Sequence, residues 1–447
     1  MSAPTGKSTA PAGAQEAAEA PTLLDALARA PAAAALVVAA LQDDRANRYG
    51  FKENRNLKAL RLAHTQLRDA VGEATTALKV DFEVAADARL PTPARWPRLE
   101  ELTFVPGPDA ADLEALALET WGALRTLRLG DYDRRSPALD APAARALAAA
   151  LPRAPALRAL ELYTFGICDA AAAELFRAAS AEAPLQLRAL YLVGAELALA
   201  GVHALAASGW RLEELDLDES CSLGSAGAAA LVAAPTFALR RLGLITCDLD
   251  AAALSAIANA PWPLEVLNLS NNDFRAASVG PSLAALSRHA RLRWLNIGLC
   301  SLSAAGFKAL VEAAWPALEH LHGVAAKVKF DGPHALGAAA FAGFPALEVL
   351  DLTSVRLGAE GARLLASRRW ARLGNLTLNS CALGDAGLAA LARGQWPAVE
   401  CMDLRSNGLS APPALEDARR WAPALVDFHV DAHAALDFDP ETDGEPE

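Results

Sequence analysis

Between Leu99 and Val430 one phrase returns about every 27 residues: Leu-x-x-Leu-x-Leu, then a small or polar residue, then Leu. Its clearest copies are Leu264-Glu-Val-Leu267-Asn-Leu269-Ser-Asn-Asn272, Leu292-Arg-Trp-Leu295-Asn-Ile297 with Cys300, Leu373-Gly-Asn-Leu376-Thr-Leu378-Asn-Ser-Cys381, and Val399-Glu-Cys-Met402-Asp-Leu404-Arg-Ser-Asn407. Thirteen copies open at Leu99, Leu124, Leu157, Leu187, Leu212, Leu239, Leu264, Leu292, Leu318, Leu347, Leu373, Val399 and Leu425, in steps of 25 to 33 residues. Each repeat is one supersecondary unit that buries its apolar side only against its neighbours. The chain must therefore grow in one dimension and present a long continuous surface.

The period has room for a strand and a helix. Side chains alternate along a strand, so positions four and six of each repeat point inward and positions three, five and seven outward. Helical segments led by Gly follow many strands: Gly201-Val-His-Ala-Leu205, Gly227-Ala-Ala-Ala-Leu231, Gly306-Phe-Lys-Ala-Leu310, Gly361-Ala-Arg-Leu-Leu365 and Gly387-Leu-Ala-Ala-Leu391. The pattern predicts an α/β solenoid with parallel strands on the concave face and helices on the convex face. Upstream, Ala77-Leu78-Lys-Val80-Asp-Phe82-Glu-Val84 alternates with period two and reads as a strand capping the first repeat. Residues 22 to 76 read as helical, with Thr22 and Asn56 placed to cap helices. The expected organisation is a disordered leader over 1–21, a helical region with capping strand over 22–85, a linker over 86–98, repeats over 99–434, and an acidic disordered tail over 435–447.

The net charge of -12 argues against nucleic acid as the partner, because non-specific binding depends on neutralising phosphates. Protein partners are expected instead. Cys247, Cys300 and Cys381 occupy the ninth position of their repeats, where Asn272 and Asn407 also stand, and Cys221 falls one residue later. That slot turns inward, so these cysteines read as buried free thiols, and a reducing compartment, cytoplasmic or nuclear, is expected. No segment reaches the roughly 18 consecutive apolar residues of a membrane span, and the first residues lack the basic start of a secretory signal. Eight of the nine tryptophans (Trp96, Trp121, Trp210, Trp262, Trp315, Trp370, Trp396 and Trp421) sit two to four residues before a repeat opens. A periodic aromatic in a periodic fold reads as packing between helix and strand. Gly6-Lys7-Ser8-Thr9 matches the end of a phosphate-binding loop, but no strand or upstream glycine precedes it.

These repeats resemble the ribonuclease-inhibitor and cysteine-containing classes of leucine-rich repeat. The copy from Leu373 to Leu391, with Cys381 and Gly384-Asp-Ala-Gly387-Leu-Ala-Ala-Leu391, is similar to the cysteine-containing type. The segment Leu60-Arg-Leu62-Ala-His-Thr-Gln-Leu67-Arg-Asp-Ala-Val71 resembles the last part of an F-box. That resemblance implies a substrate receptor of a cullin-type ubiquitin ligase, with Leu60, Leu62, Leu67 and Val71 docking the Skp adaptor. Two other roles implied by resemblance are a stand-alone regulatory scaffold of the ribonuclease-inhibitor type and a GTPase activator of the Ran type.

The candidate binding residues follow from the outward positions. Position five supplies Thr103, Arg128, Glu161, Tyr191, Asp216, Gly243, Asn268, Asn296, His322, Asp351, Thr377, Asp403 and His429. Position seven adds Tyr163, Asp218, Asn379, Arg405 and Asp431, and position three adds Glu214, Trp294, Asn375 and Asp427. Glu214, Asp216, Asp218 and Glu219 form a local acidic cluster that reads as a docking strip for a basic or mixed protein. Trp294 is the one tryptophan on an outward position and reads as an interface anchor. His320 and His322 lie two apart, which is too few ligands for a metal site. No catalytic constellation and no cofactor motif is found.

Overall fold

The computed structural model describes residues 76–81, 91–94, 96–105, 107–130, 138–163, 166–181, 185–195, 197–219, 223–323, 336–411 and 413–431. The chain divides into two units, one of residues 1–76 with 94–98 and one of residues 77–93 with 99–447. The leader, the helical region, Leu60, Leu62, Leu67, Val71, Cys221 and the acidic tail lie outside the described residues.

Fourteen strands form one parallel sheet in sequence order. They are β1 (Ala77–Asp81), β2 (Glu101–Val105), β3 (Thr126–Leu129), β4 (Ala159–Tyr163), β5 (Ala189–Val193), β6 (Glu214–Asp216), β7 (Arg241–Gly243), β8 (Val266–Asn268), β9 (Trp294–Asn296), β10 (His320–His322), β11 (Val349–Asp351), β12 (Asn375–Thr377), β13 (Cys401–Asp403) and β14 (Asp427–His429). The thirteen repeats supply β2 to β14, and the alternating segment at Ala77 supplies β1, paired in register with β2. Positions one, four and six are buried, as in Leu264, Leu267 and Leu269 or Leu373, Leu376 and Leu378. Helices of successive repeats pack on one another, which makes this an α/β leucine-rich-repeat solenoid.

Two details of the helical layer differ from the expectation. The glycines lie within the first turn of their helices rather than opening them, as in Leu199–Ala206 and Gly384–Leu391. A Cβ on Gly201 would come within 2.4 Å of Leu197 Cδ1, and one on Gly387 within 2.8 Å of Leu383 Cβ. The leucine four residues earlier occupies the space a side chain would need. The second difference lies between β10 and β11, where the described residues 336–348 form turns. Phe341 packs edge-on against Phe307, and Phe344 stacks on Trp315, so bulky rings pack there.

The tryptophans do more than pack. The indole N–H of Trp121, Trp315, Trp370 and Trp396 donates to the carbonyl five residues earlier, at Leu116, Leu310, Leu365 and Leu391. Those carbonyls are near helix C-termini, where the last turn lacks intrahelical donors. His289 fills the same slot before Leu292, and its ring nitrogens lie 3.2 and 3.1 Å from the carbonyls of Trp262 and Ile257 in the preceding repeat.

Where the ninth position carries Asn or Cys, it closes the coil as its residue type suggests. Asn272 Oδ1 accepts from the N–H groups of Cys247 and Leu249, and its Nδ2 donates to the carbonyls of Leu244, Leu269 and Ser270. Asn407 repeats this with Cys381, Leu383, Leu378, Leu404 and Arg405. The thiols of Cys247, Cys300 and Cys381 donate to Leu217, Leu269 and Leu352 of the preceding coil. Burial pushes the thiols of Cys300 and Cys381 up to about 12, so they stay protonated and unreactive. Among the described residues Cys168, Cys300, Cys381 and Cys401 are free thiols.

Candidate partner-binding face

The strands place the predicted residues in straight rows. Glu161 lies beside Arg128 and Tyr191, Asp216 beside Tyr191 and Gly243, and Asn268 beside Gly243 and Asn296. Asp351, Thr377, Asp403 and His429 continue the row on β11 to β14. Most of these side chains are half-buried, because neighbours about 4.8 Å away shade one another.

Sequence reasoning missed what many of them do. Asp216, Asn268, Asn296, Asp351 and Asp403 each accept, through Oδ1, from the backbone N–H two residues on, at Asp218, Ser270, Gly298, Thr353 and Arg405. This is the Asx turn, in which a short side chain competes with the ladder for a backbone donor. The position-seven N–H is thereby satisfied inside its own repeat, and all five strands stop at position five. The signal was present in the sequence, as Asp or Asn recurring at one position, but an acidic column reads equally well as a binding strip.

Three clusters stand out along the rows. On β3 and β4, Arg128 grips Glu161 with two hydrogen bonds of 2.5 and 3.0 Å, and Tyr163 Oη lies 3.4 Å from the same carboxylate. On β5 to β7, Tyr191 donates to Glu214 at 2.5 Å, and Arg241 lies 3.4 Å from Glu214. Burial, then the bond to Glu214, pushes the Tyr191 phenol far up, so it remains a donor. Beside them Asp216 and Asp218 share a half-buried site whose roof is Gly243; a Cβ there would come within 2.9 Å of Asp218 Oδ1. Asp218 Oδ1 also accepts from the N–H of Ile245. Burial, reinforced by the charge of Asp216, pushes the Asp218 carboxyl up to about 7, and burial raises Asp216 as well. Glu219 is the exposed rim of this cluster, at position eight.

The third cluster is aromatic. Trp294 lies 5.3 Å from the His322 ring, and His320 stacks on His322 at 5.8 Å and 10°. Burial and His320 lower the basicity of His322 against the pull of Asp351. Asn375 is exposed, Asn379 accepts from the Ser380 hydroxyl, and Arg405 clasps Asp403. These lie on β12 and β13, apart from the acidic and aromatic clusters.

Nine carboxylates stand against three guanidinium groups at positions three, five and seven of the described residues in β2 to β14 and their following turns. Each of those three arginines pairs with a carboxylate on the same face: Arg128 with Glu161, Arg241 with Glu214, Arg405 with Asp403. The face is therefore acidic. Among the described residues no helix is long and apolar enough to cross a membrane.

No protein-family model and no curated protein matches the chain. Solved structures do. A chain of the TLR13–ssRNA13 complex is similar at 20% identity and a TM-score of 0.45, over 80% of this chain and 45% of that one. The chain thus spans less than half the length of that relative. An internalin (inlF) from Listeria monocytogenes is similar at 16% identity and a TM-score of 0.36, over 72% of this chain and 70% of that one. A chain of the yeast Rad7–Elc1 complex is similar at 15% identity and a TM-score of 0.40, over 90% of this chain and 87% of that one.

Proposed function

We propose that the chain is a non-catalytic scaffold that binds a protein along its strand-lined face. One observation carries this reading: polar and aromatic side chains stand in register on adjacent strands from β2 to β14, opposite the helices. An ordered row of this length suits an extended contact with a macromolecule. Its acidic balance favours a basic or mixed protein and disfavours a phosphate backbone. The charges should set association rate and the aromatic cluster dissociation rate.

The test compares affinity purification of the parent with a variant carrying Asn375→Arg and Thr377→Arg. Both residues lie on the strand-lined face. Proteins recovered with the parent and lost with the variant support the reading. An unchanged set of proteins refutes it.

The finer reading is that the scaffold is the substrate receptor of a cullin-type ligase, with the Skp adaptor held by Leu60, Leu62, Leu67 and Val71. It rests on the F-box-like sequence alone. Deleting residues 22–76, which leaves β1 in the sheet, should remove adaptor and cullin subunits from the purified set while the repeats stay folded. Adaptor retained by the truncated chain would refute it.

A further inference from the structure

The repeat that opens at Leu292 breaks the pattern of the strand-lined face twice. At position three it carries Trp294, where the neighbours carry Val266 and His320. At position eight it carries Leu299. Among the described residues that position is left-handed in eight repeats, and the other seven fill it with Gly194, Glu219, Thr246, Asn271, Ser354, Ser380 and Ser406. The left-handed backbone is general to the position, and Leu299 adopts it at φ 57°. What sets Leu299 apart is an apolar side chain left 73% exposed where the other repeats carry polar residues or glycine.

Between the aromatic cluster and Leu299 the surface drops to bare backbone. Gly298 and Gly323 lie side by side, and a Cβ on Gly323 would sit 2.5 Å from Gly298 Cα. Asn296 Oδ1 borders both, held by its bond to the Gly298 N–H. Trp294 and His322 wall one end of this notch and Leu299, in the turn after β9, the other. Asp351 on β11 lies one strand beyond β10 on one side, and Asp216 on β6 with Asp218 after it lies three strands from β9 on the other. Apolar centres ringed by charge are the usual form of an interface hot spot.

We propose that this notch receives an apolar side chain from a basic segment of a protein partner. The proposal rests on the strand-lined face being a protein interface, and it names the contact that would anchor it. The apolar side chain would lie over Gly298 and Gly323, with Trp294 and Leu299 closing on it. Lysines or arginines before and after it would meet the flanking carboxylates.

Fluorescence anisotropy on the full chain tests this with labelled 15-residue synthetic peptides. One series has a central Leu or Phe flanked by Lys and Arg, a second has the same centre flanked by Glu, and a third has basic flanks around Ser. The first series should bind, weaken with salt, and lose at least tenfold in affinity with Trp294→Ala and with Leu299→Ser. Leu299→Ser is the safer variant for folding, because serine fills the same position at Ser354, Ser380 and Ser406. Equal binding of the Ser-centred or Glu-flanked peptides, no binding by any peptide, or indifference to Leu299→Ser would each overturn the proposal. If the basic peptides bind and respond to Asp216→Asn with Asp218→Asn but not to Leu299→Ser, the face is an interface and the notch is not its anchor. If no variant of the face changes peptide binding or the proteins recovered by affinity purification, the wider reading fails with it.

Discussion

The first five strands and the last nine make the same sheet by different means. In β1 to β5 the ladder runs four or five residues, and position five carries Lys79, Thr103, Arg128, Glu161 and Tyr191. From β6 onward every strand is three residues long, and five of nine position-five residues are Asp or Asn. Five of the later strands hand a backbone donor to an Asx turn, and five of their coils are closed by Asn272, Asn407 or a buried thiol bonded to the preceding coil. In the earlier part the described ninth-position residues, Gly107 and Ala195, have no side-chain group that could do this. Long ladders and side-chain ladders are thus interchangeable ways of tying one coil to the next, because either satisfies the backbone groups that burial between coils removes from water.

The strongest challenge to this comparison is Asn272→Ala or Asn407→Ala. Each removes a side chain serving five backbone groups, and each should cost about 3 kcal/mol. Because a solenoid can unfold in parts, amide exchange should accompany denaturation. The amides of Cys247 and Leu249, or of Cys381 and Leu383, should exchange faster while those of β2 to β5 do not. A cost below 1 kcal/mol would mean the asparagine ladder does not replace strand length.

Tryptophan at the seam gives the next largest effect. Trp396→Phe loses the indole bond to Leu391 and should cost about 1–2 kcal/mol. Trp210, just before β6, is buried against Phe176 with an indole N–H that has no hydrogen-bond partner. Trp210→Phe should therefore cost clearly less than Trp396→Phe. Equal losses in thermal or chemical melts would show that packing alone sets both.

The Asp216–Asp218 pair on β6 and the turn after it should make the later part pH-sensitive. Asp218 binds its proton more tightly in the folded chain, at about 7 against an ordinary value of 3.8. Between those values the folded state holds more protons than the unfolded one, so stability falls as pH rises from about 4 to about 7 and then levels off. Solvent screening at this half-buried site should hold the fall to on the order of 1 kcal/mol. Asp218→Asn should flatten that slope and stabilise the chain at pH 8. A slope unchanged in the variant would place its origin elsewhere.

The smallest effect tests the Asx rule itself. Asn268→Thr should cost about 0.5 kcal/mol, like the loss of a weak cap, and speed exchange at the Ser270 amide. The reverse change, Thr103→Asp, should shorten β2 and slow nothing else. No change at Ser270 would separate strand length from the position-five side chain.

The sequence alone determined the repeat, the strand register and the inward slots. Each of these depends on a local period, and a one-residue slip would turn every buried leucine to the surface. Trp294, Asn272 and the cysteines were therefore legible where they stand. Tertiary structure decided what their neighbours on adjacent coils, some 25 residues away in sequence, do to them. That Gly243 roofs two carboxylates, and that Gly323 lies against Gly298 between Trp294 and Leu299, depend on contacts between neighbouring repeats. A side chain's own spacing fixes which way it points; which donor, glycine or ring it meets there is set by the coil stacked beside it.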